Sequence, residues 1–582
     1  MNVTLNHLAF CPAGTGLRDL SWGGMPLLHS VYFAVRGTNW EVLPSHCLSE
    51  TRTDAPGKVI LSRRDIIAQG FLSEMSIEAQ ETGSITLDVH LTCTNAIEVN
   101  RAGFNILFPI DNLAGQSAEV MHSDGAVEQG HFPDLISPEQ PFFDMQSISY
   151  QLQSARVSVA FEGDVFEMED QRNWSDASFK VYGPPLATPR PRRFRTGEEI
   201  RQRVVIKVTG KPSRPARAKN PKPRKVVMPE ILLMAGKETP SVALPKGARR
   251  LVRFQHDKPW RPDELGRLSG NDPIDAEIVL PPDLVSAETY LRNLARDMRR
   301  ADLKIAHVVA LPAGYLKRLP PGGASPPGLD LAGAADLAAK TFPDARLGMG
   351  ALTHFTELNR RRPPQRQGAY ITHGNAAIVH AADDQSVLET LIGLRHVLHS
   401  ACAIAGERDY RLGLVAIAMR SNPHGDHLFD NPDQHRMAMT DDDPRQHTGF
   451  AAAYAIAATT LAALAGAEAI CLGGVGGTFS IADQNGDLRP IGRVIEQMAA
   501  LSGQRAEATH ADGIYRLSIG KMVLTANCTL SEHKLPKEIL AEGILLLGTE
   551  AIAGTHTRLP PMSCHISMPK PDNLIQKTEP LR

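Results

Sequence analysis

The second half of the chain alternates short apolar runs with amphipathic helical segments, and this alternation restricts the fold more than any other feature. Between residues 230 and 474 the apolar runs are EILLMAG, RLVRFQHD, DAEIVLPPD, LKIAHVVALP, ARLGMGALTHF, AYITHG, LGLVAIAMRS and AEAICLGG. Several are separated by helical patterns such as SAETYLRNLARDMRRA and DQSVLETLIGLRHVLHSA. Apolar strands that alternate with amphipathic helices form a parallel sheet covered by helices. Eight of them in about 250 residues predict a (β/α)8 TIM-type barrel over residues 230–503.

The two flanking regions follow a strand period instead. Runs such as HSVYFAVRG, SITLDVHLTC and IRQRVVIKVTG alternate apolar and polar residues between turn signals, which predicts an N-terminal antiparallel β-sandwich over residues 1–210. GIYRLSIGKMVLTANCT and AEGILLLGTEAIAG predict a small C-terminal β domain over residues 504–570. The aperiodic residues 571–582 are expected to form a frayed tail. The chain is thus predicted to be a multidomain α/β plus β protein.

A basic, proline-rich segment, residues 211–229, separates the predicted sandwich from the predicted barrel. Its sequence, KPSRPARAKNPKPRKVVMP, has no aromatic residues between the basic ones, so we interpret it as a solvated linker rather than a nucleic-acid contact. The whole chain has a formal net charge of -2, with 22% charged and 42% hydrophobic residues. This balance is typical of a globular protein with a packed core and gives no indication of a nucleic-acid partner.

Cysteine usage and apolar runs indicate the cellular setting. The seven cysteines are scattered and form no CxxC pair, which argues against a disulfide framework and a zinc knuckle. The N-terminus has no basic segment followed by a long apolar run, so no signal peptide is expected. The most apolar run, residues 451–474, is rich in Ala and Gly and contains Glu468, which favours a buried helix and strand over a membrane span. We therefore expect a cytoplasmic protein with no membrane partner.

Polar clusters follow three successive predicted strands at the end where barrel enzymes carry their reactive groups. Loops at this end vary on a fixed scaffold. The N-terminal ends of the same strands are expected to carry no such cluster. The candidate residues after the fifth, sixth and seventh runs are Glu357, Asn359 and Arg360; His373, Asn375, His380 and Asp383; and Arg420 and Asn422.

Glu357 is the candidate catalytic group. A carboxylate at a strand end can accept or donate a proton at a sugar-derived centre, and Arg360 or Arg420 would hold it ionised. The alternative is a Glu that pairs with the arginines at 360–362 and stabilises the loop. Arg420 and Asn422 would suit as donors to a carbonyl or hydroxyl oxygen, although a satisfied loop network uses the same residue types.

The same loops and the segment after the last strand also raise the possibility of a metal site and of a phosphate site. The histidines and Asp383 would suit zinc or a harder divalent ion, but they lack the HExxH and HxH spacings, so no metal site is predicted. The glycine-rich CLGGVGGTFSI, residues 471–481, lacks the Walker lysine and the GxGxxG spacing. A tight barrel corner is the favoured interpretation of that segment, and a phosphate cradle the alternative.

The stretch FEMEDQRNWSDASFK, residues 166–180, mixes acidic, basic and aromatic side chains without a helical or strand period. A solvated loop has no need of Trp174 and Phe179, and a core strand does not tolerate unpaired charges. An interdomain loop satisfies both conditions. Its polar residues would either lock the sandwich onto the barrel or reach the mouth of the barrel and contact substrate: Glu169, Asp170, Arg172 and Asn173.

This stretch, together with DLISPEQPFFD, FTELNR, VHAADDQSVLETL and SNPHGD, resembles the D-apionate lactonase family of bacterial apiose catabolism. The quoted stretches occur in order through the predicted sandwich and barrel. The resemblance implies a glycosidase-like barrel with flanking β domains and a cofactor-independent hydrolase that opens D-apionolactone to D-apionate. Glu357 in FTELNR would then lie where such barrels hold their acid/base carboxylate.

The chain departs from the family pattern at one place. In the family the last barrel strand ends in a segment rich in Tyr, Glu and Thr followed by Gly-Trp-Arg, whereas the matching LGGVGGTFSI has no acidic residue. If that Glu is the family's second catalytic carboxylate, this chain uses Glu357 with another partner or acts on a different substrate.

Three hypotheses for function follow. The first is hydrolysis of a sugar-derived lactone, with Glu357 as base, or as acid for the ring oxygen, and Arg420, Asn422 and His373 positioning the oxygen. The second is a glycoside hydrolase, which needs a second carboxylate; Asp383 or Asp384 would supply it. The third is a catalytically degenerate barrel kept for carbohydrate binding.

Overall fold

Two units make up the chain in the computed structural model, Met1–Arg217 and Ala218–Arg582. The structure describes residues 2–212, 221–238, 240, 242–268, 272–425, 427–535 and 542–567. The predicted tail at 571–582 lies outside the described residues, as does the basic core of the predicted linker, residues 213–220.

The described part of the first unit is built from strands. They are β1 (Val3–Leu5), β2 (Leu8–Ala13), β3 (Gly16–Trp22), β4 (Met25–Arg36), β5 (Ser45–Ala55), β6 (Lys58–Ile67), β7 (Phe71–Gln80), β8 (Ser84–Cys93), β9 (Ile97–Val99), β10 (Arg101–Pro109), β11 (Ser117–His122), β12 (Val127–His131), β13 (Met145–Leu152), β14 (Ala155–Glu162), β15 (Glu167–Asp170), β16 (Ser178–Tyr182), β17 (Arg192–Phe194) and β18 (Glu199–Gly210). A single-turn 3-10 helix, Gln171–Trp174, follows β15.

Two antiparallel sheets form the predicted sandwich. One has seven strands in the order β1-β2-β3-β4-β10-β16-β15, and the other has nine in the order β12-β11-β13-β14-β18-β8-β7-β6-β5. The strand period explains the core, because alternate residues of β8, such as Leu87 and Val89, are buried. The sheets meet through aromatic rings: Phe108 of the first packs edge-on against Tyr150 of the second, with ring centroids 6.0 Å apart. The predicted sandwich is confirmed.

The second unit contains the predicted barrel. Its eight strands are β20 (Glu230–Ala235), β21 (Arg249–Gln255), β22 (Ile274–Leu280), β23 (Ile305–Pro312), β24 (Arg346–His354), β25 (Tyr370–Ala376), β26 (Asp409–Ala416) and β27 (Ala469–Gly474). They pair in parallel and close from β27 onto β20. The helices are α1 (Pro262–Leu268), α2 (Leu284–Arg300), α3 (Leu331–Thr341), α4 (Phe355–Arg360), α5 (Asp384–Ala405), α6 (Gly449–Leu464) and α7 (Pro490–Ala500). The predicted (β/α)8 barrel is confirmed.

The barrel helices begin where the sequence supplies a cap and an apolar stripe. Asp283 accepts the backbone N–H of Ser286 at 2.9 Å and starts α2, and Asp330 does the same for Gly333 at 2.7 Å and starts α3. Along α2 the buried side chains Leu291 and Met298 are seven residues apart, so they lie on the same face. Sequence patterning of this kind is what made the helices predictable.

A charged network occupies the N-terminal end of the barrel and includes the seventh strand, where the sequence predicted no polar cluster. Arg411 of β26 donates to Asp275 of β22 at 2.7 Å and to Glu230 of β20 at 2.8 Å. His307 Nδ1 of β23 lies 2.9 Å from the Asp275 carboxylate, and Arg249 of β21 pairs with Glu230 at 2.5 Å. The prediction was wrong because each strand contributes only one or two of these groups, which become a cluster only when the barrel closes.

The structure describes eight C-terminal strands in the same unit as the barrel; six of them lie in one sheet, and the fourth and seventh form a separate two-stranded sheet. They are β28 (Arg505–Ala511), β29 (Ile514–Ile519), β30 (Met522–Asn527), β31 (His533–Lys534), β32 (Glu542–Leu547), β33 (Glu550–Thr555), β34 (Arg558–Leu559) and β35 (Ser563–Ser567). Part of the predicted linker joins this sheet, because β19 (Arg224–Val227) pairs with β28. The sheet packs on α6, where Gly449 N–H donates to Gly548 O at 2.6 Å.

The most apolar segment forms α6 and β27, the buried helix and strand that the sequence predicts. Nearly all of α6 is buried in this unit. Among the helices that the structure describes, only α5 is long and apolar enough to span a membrane by length and composition, and 56% of its apolar window is buried inside the unit. That burial is typical of a core helix.

Candidate active site

A small cavity lies inside the barrel, toward the C-terminal ends of the strands. Strands β22, β24, β25 and β26 and the loop after β26 contribute its wall, because parallel strands end on one face of a closed barrel. The lining residues are Glu277, Leu352, Thr353, His354, Gly374, Asn375, Ala376, Leu414, Ala418, Arg420 and Ser421. This set includes two of the sequence candidates, Asn375 and Arg420.

Glu357 lies beside this cavity, in the first turn of α4, and its carboxylate is held by the strand before it. Its Oε2 accepts the hydroxyl of Thr353 at 2.9 Å and the backbone N–H of His354 at 3.1 Å. The side chain is 5% exposed. Its other oxygen, Oε1, is buried and has no hydrogen-bond partner among the described residues. One oxygen therefore fixes the orientation and the other is left for a ligand or water.

The environment of Glu357 favours its protonated form. Burial raises the pKa of this carboxyl, while the bonds from Thr353 and His354 and the charge of Arg360 lower it in part. A raised carboxyl pKa brings the group closer to neutral pH, where it can both take up and release a proton. The arginine influence that the sequence predicted is present, but burial is the larger cause.

Two histidines near Glu357 are neutral. Burial lowers the pKa of His354 to about 4, and it does the same for His373. His373 donates from Nδ1 to Gly374 O at 2.8 Å, so its Nε2 accepts the hydroxyl of Tyr410 at 2.7 Å. Both nitrogens of His373 are thus bonded to protein atoms, and its ring packs edge-on against Phe355 at 5.3 Å.

Arg420 is held at the cavity by an acidic residue that sequence reasoning missed. It donates from Nη1 to Oε2 of Glu277 at 2.6 Å, and Nε of Arg253 donates to the same oxygen at 2.8 Å. Both arginines lower the pKa of Glu277 against the effect of burial. Asp275 and Glu277 are two residues apart in DAEIVLPPD, and this period-two pair of acids inside an apolar strand was the available signal.

The other candidates near the strand ends organise their own loops. Asn422 accepts the backbone N–H groups of His424 and Gly425 at 2.8 and 2.9 Å. Asp383 caps α5 by accepting Ser386 N–H at 3.0 Å. These contacts form loop networks, which the sequence analysis gave as the alternative to substrate binding for Arg420 and Asn422.

Asn359, Arg360 and His380, which the sequence also predicted as substrate contacts, lie on α4 and after β25. Asn359 is buried, and its Oδ1 accepts from Arg362 at 2.7 Å. Arg360 donates to Leu319 O at 3.0 Å. The His380 ring lies 6.5 Å from that of His424.

The candidates from the charged stretch form a buried network within the first unit. Arg172 is 0% exposed and donates to both carboxylate oxygens of Asp170, at 2.8 and 2.7 Å. It also donates to Pro133 O at 2.7 Å and Asp134 O at 3.0 Å. In the same network Asn173 donates to Ser137 O at 2.6 Å, and Glu169 pairs with Lys180 at 2.8 Å. The charges are tolerated in the core because each has a partner.

The structure also describes the loops that were alternative candidates for a metal site and a phosphate site. Within the described residues, no group of three His, Cys, Asp or Glu side chains is arranged to hold a metal ion. In the glycine-rich segment after β27, Gly474 N–H donates to Phe479 O at 2.8 Å and Ser480 N–H to Gly477 O at 3.1 Å. The backbone turns on itself there, as in a tight barrel corner.

Two weak structural likenesses concern sugar epimerases. A putative aldose 1-epimerase from Escherichia coli K12 is 11% identical and covers 36% of this chain and 98% of its own, at a TM-score of 0.25. A galactose 1-epimerase from Lactobacillus acidophilus NCFM is 7% identical and covers 36% of this chain and 93% of its own, also at 0.25. Likenesses at this level carry no inference.

Sequence comparison is decisive. A family model described as D-apionate lactonase, N-terminal domain, matches residues 2–211, and one described as D-apionate lactonase, TIM barrel domain, matches residues 266–503. The D-apionate lactonase of Brucella anthropi is 31% identical over 522 residues, which cover 84% of this chain and 85% of that protein. As its motifs predicted, the chain belongs to the D-apionate lactonase family.

Proposed function

We propose that this chain hydrolyses a sugar-derived lactone, D-apionolactone or a related aldonolactone, to the open-chain acid, with Glu357 as the acid/base carboxylate. The observation that carries the proposal is the position of Glu357 after the fifth barrel strand, with one carboxylate oxygen fixed and the other without a hydrogen-bond partner in the described part of the chain. It occurs in a chain that shares 31% identity with a D-apionate lactonase over most of its length.

The reaction needs one proton acceptor and one proton donor. Water attacks the lactone carbonyl carbon, and Glu357 accepts the proton that the water loses. The ring carbon–oxygen bond then breaks, and the ring oxygen takes the proton back as it leaves. A carboxyl group whose pKa is raised by burial is suited to both transfers. The products are one carboxylic acid and one hydroxyl group on the same molecule, and no cofactor takes part.

The negative charge that develops on the carbonyl oxygen needs donors. Arg420 lines the cavity with a guanidinium group whose one hydrogen-bond partner among the described residues is Glu277, and the amide of Asn375 lines the same cavity. We assign these two side chains to the carbonyl oxygen. We assign His373 to support of α4 through Phe355, because substrate contact would cost one of its two protein hydrogen bonds.

Of the other residues that the sequence predicted as substrate contacts, some are engaged in structural bonds that substrate would have to replace. Substrate contact by Asn359, Arg360 or His380 is compatible with their positions near α4 and after β25. For Asp383 and Asn422, and for Glu169, Asp170, Arg172 and Asn173, it would compete with the structural bonds described above. No observation favours the glycosidase alternative, since Asp383 caps a helix and Asp384 pairs with Arg436 and Arg445 at 2.7 and 3.0 Å.

Acid release from a panel of aldonolactones, followed by pH-stat or NMR, tests the proposal. We expect turnover of the branched four-carbon lactone and little turnover of six-carbon lactones. Glu357→Gln should lower kcat/KM about a hundredfold or more, because general acid/base catalysis carries the step. Glu264→Gln is the matched control: Glu264 is equally buried, lies on α1, and accepts Arg261 N–H at 2.8 Å. Wild-type rates in the Glu357 variant would exclude the assignment, and a wild-type protein inactive on every lactone would exclude the function.

A further inference from the structure

Glu277 lies on the barrel strand β22, away from the loops in which sequence reasoning sought the chemistry. We infer that it is a positioning residue of the lactonase site, which holds the guanidinium group of Arg420 against the lactone carbonyl oxygen. The inference rests on the proposed function and deepens it. It adds a residue from the third barrel strand to a site otherwise composed from the fifth, sixth and seventh strands.

The geometry fixes Arg420 from one side only. Oε2 of Glu277 accepts Nη1 of Arg420 at 2.6 Å and Nε of Arg253 at 2.8 Å. Arg253 is itself anchored, since its Nη2 donates to Leu352 O at 2.5 Å. The carboxylate therefore cannot turn away without breaking two charge-assisted hydrogen bonds. Arg420 keeps Nε and Nη2 without a partner among the described residues, and these donors remain for a ligand.

The charges of this group favour an anion in the cavity. Arg253 and Arg420 are each +1 and Glu277 is -1, so the trio has a net charge of +1. Its side chains are 11%, 21% and 9% exposed, so water screens that charge only weakly. A positive charge that is fixed before the reaction stabilises an oxyanion without reorganisation during the reaction. Glu277 thus supplies orientation, and Arg420 supplies the contact.

The second buried acid of β22 provides a matched control. Asp275 is also held by basic side chains, Arg411 at 2.7 Å, His307 at 2.9 Å and Arg249 at 3.4 Å. It lies two residues before Glu277 on the same strand, is 4% exposed, and does not line the cavity to which Arg420 and Asn375 contribute. Neutralising either acid disturbs a buried ion network, but only Glu277 touches Arg420.

A double-mutant cycle on the full chain tests the inference, with Glu277→Gln, Arg420→Ala, the double variant and Asp275→Asn. We expect Arg420→Ala to lower kcat/KM about 10²- to 10³-fold, mostly in kcat, as for loss of an oxyanion donor. Glu277→Gln should lower it about tenfold or more by the same route, and the double variant should be no worse than Arg420→Ala alone. Asp275→Asn should lower the melting temperature but leave kcat/KM of the folded enzyme within about threefold.

Rescue by free guanidinium gives a readout that a purely structural role would not move. In Arg420→Ala, guanidinium ion at millimolar concentration should raise the rate at least tenfold, because the Glu277 carboxylate can still bind a guanidinium group where the Arg420 side chain was. The double variant should show no such rescue. If Glu277→Gln does not fold, Glu277→Asp takes its place: it keeps the charge but withdraws it by one methylene, so rescue should need more guanidinium.

These experiments distinguish failure of the positioning role of Glu277 from failure of the proposed lactonase function. Additive effects of the two substitutions, or equal guanidinium rescue with and without Glu277, would overturn the positioning role while leaving the lactonase function intact. A rate loss in Asp275→Asn as large as that in Glu277→Gln would assign both acids to stability alone. If the wild-type protein opens no lactone of the panel, the proposed function fails and the inference fails with it.

Discussion

Glu357 accepts a hydrogen bond from the backbone N–H of His354, three residues earlier in the chain, at 3.1 Å. The helix that carries the carboxylate and the strand that ends at His354 are thereby joined at the point where α4 begins. Since a backbone group makes this contact, side-chain substitution at 354 would leave it in place. The orientation of the catalytic candidate is thus determined mainly by the barrel itself.

Glu357→Gln should stabilise the protein at neutral pH while it lowers activity. Because burial raises the pKa of Glu357 in the folded state, its stabilising contribution is complete below the unfolded pKa and is lost as pH rises through the folded pKa. Gln keeps an acceptor for His354 and carries no charge. We expect about 0.5–2 kcal/mol of added stability at pH 7 to 8, as is common for active-site substitutions. This added stability should disappear near pH 4. Thermal melts of both proteins between pH 4 and 8 provide the measurement. A Glu357→Gln variant that is less stable than wild type at every pH would contradict the prediction.

Thr353→Val should move the pH profile of the reaction. Its hydroxyl donates to Oε2 of Glu357 at 2.9 Å and lowers the pKa of that carboxyl in part. Without this bond the pKa of Glu357 rises further, so the ascending limb of kcat/KM against pH should shift to higher pH, with about 1 kcal/mol lost in stability. Thr372→Val, at a buried position on β25, is the control. An ascending limb at the same pH in both variants would show that Glu357 does not control the limb.

The sequence was sufficient for the architecture because the signals of architecture are local. Leu87 and Val89 show the strand period within one run, and the cap Asp283 precedes the helix that it starts by a single residue. The position of Glu357 directly after the fifth barrel strand could also be predicted, because it is itself local information. Each of these signals can be read within a few residues.

The partners of the site residues could not be predicted, because they come from distant strands. Glu277 and Arg420 are 143 residues apart in the chain and meet only when the barrel closes. Likewise, Arg172 and Asp170 are neighbours in sequence, but the carbonyl groups that complete their network belong to Pro133 and Asp134. A charged side chain in an apolar strand has no visible partner in the sequence, and the chemistry of the site depends on that partner.

Acid should destabilise the barrel through His373. Its pKa is lowered by burial to about 4 from an ordinary value of 6.5, so its contribution to stability is complete above pH 6.5 and is lost as pH falls through the folded pKa. His373→Gln should reduce the slope of unfolding free energy against pH by up to about 1.4 kcal/mol per pH unit in that window. The exposed His399→Gln is the control, and denaturant titrations between pH 4 and 7 provide the measurement. Equal slopes in wild type and the His373 variant would contradict the prediction.

Asp170→Asn should lower the free energy of unfolding of the first unit more than substitution of an exposed charged residue does. Arg172 is fully buried, so removal of its anionic partner leaves an uncompensated charge at a cost of about 3–5 kcal/mol. The loop before β13 should exchange its amide hydrogens faster, because Arg172 holds it through Pro133 and Asp134. Asp54→Asn breaks the exposed pair with Arg52 and should leave the stability of the protein nearly unchanged.

The same substitution separates the two roles considered for the charged stretch. If Asp170 and Arg172 serve the fold, Asp170→Asn should accelerate amide exchange in peptides from residues 132–144 and lower the midpoint of thermal unfolding, while KM for the lactone stays within about twofold at a temperature where the variant is folded. If they contact substrate, KM should rise with little change in exchange, because removal of a binding contact acts on the complex rather than on the free protein. Hydrogen exchange and kinetics on one preparation of the full chain distinguish these results, since each role moves a quantity that the other leaves unchanged.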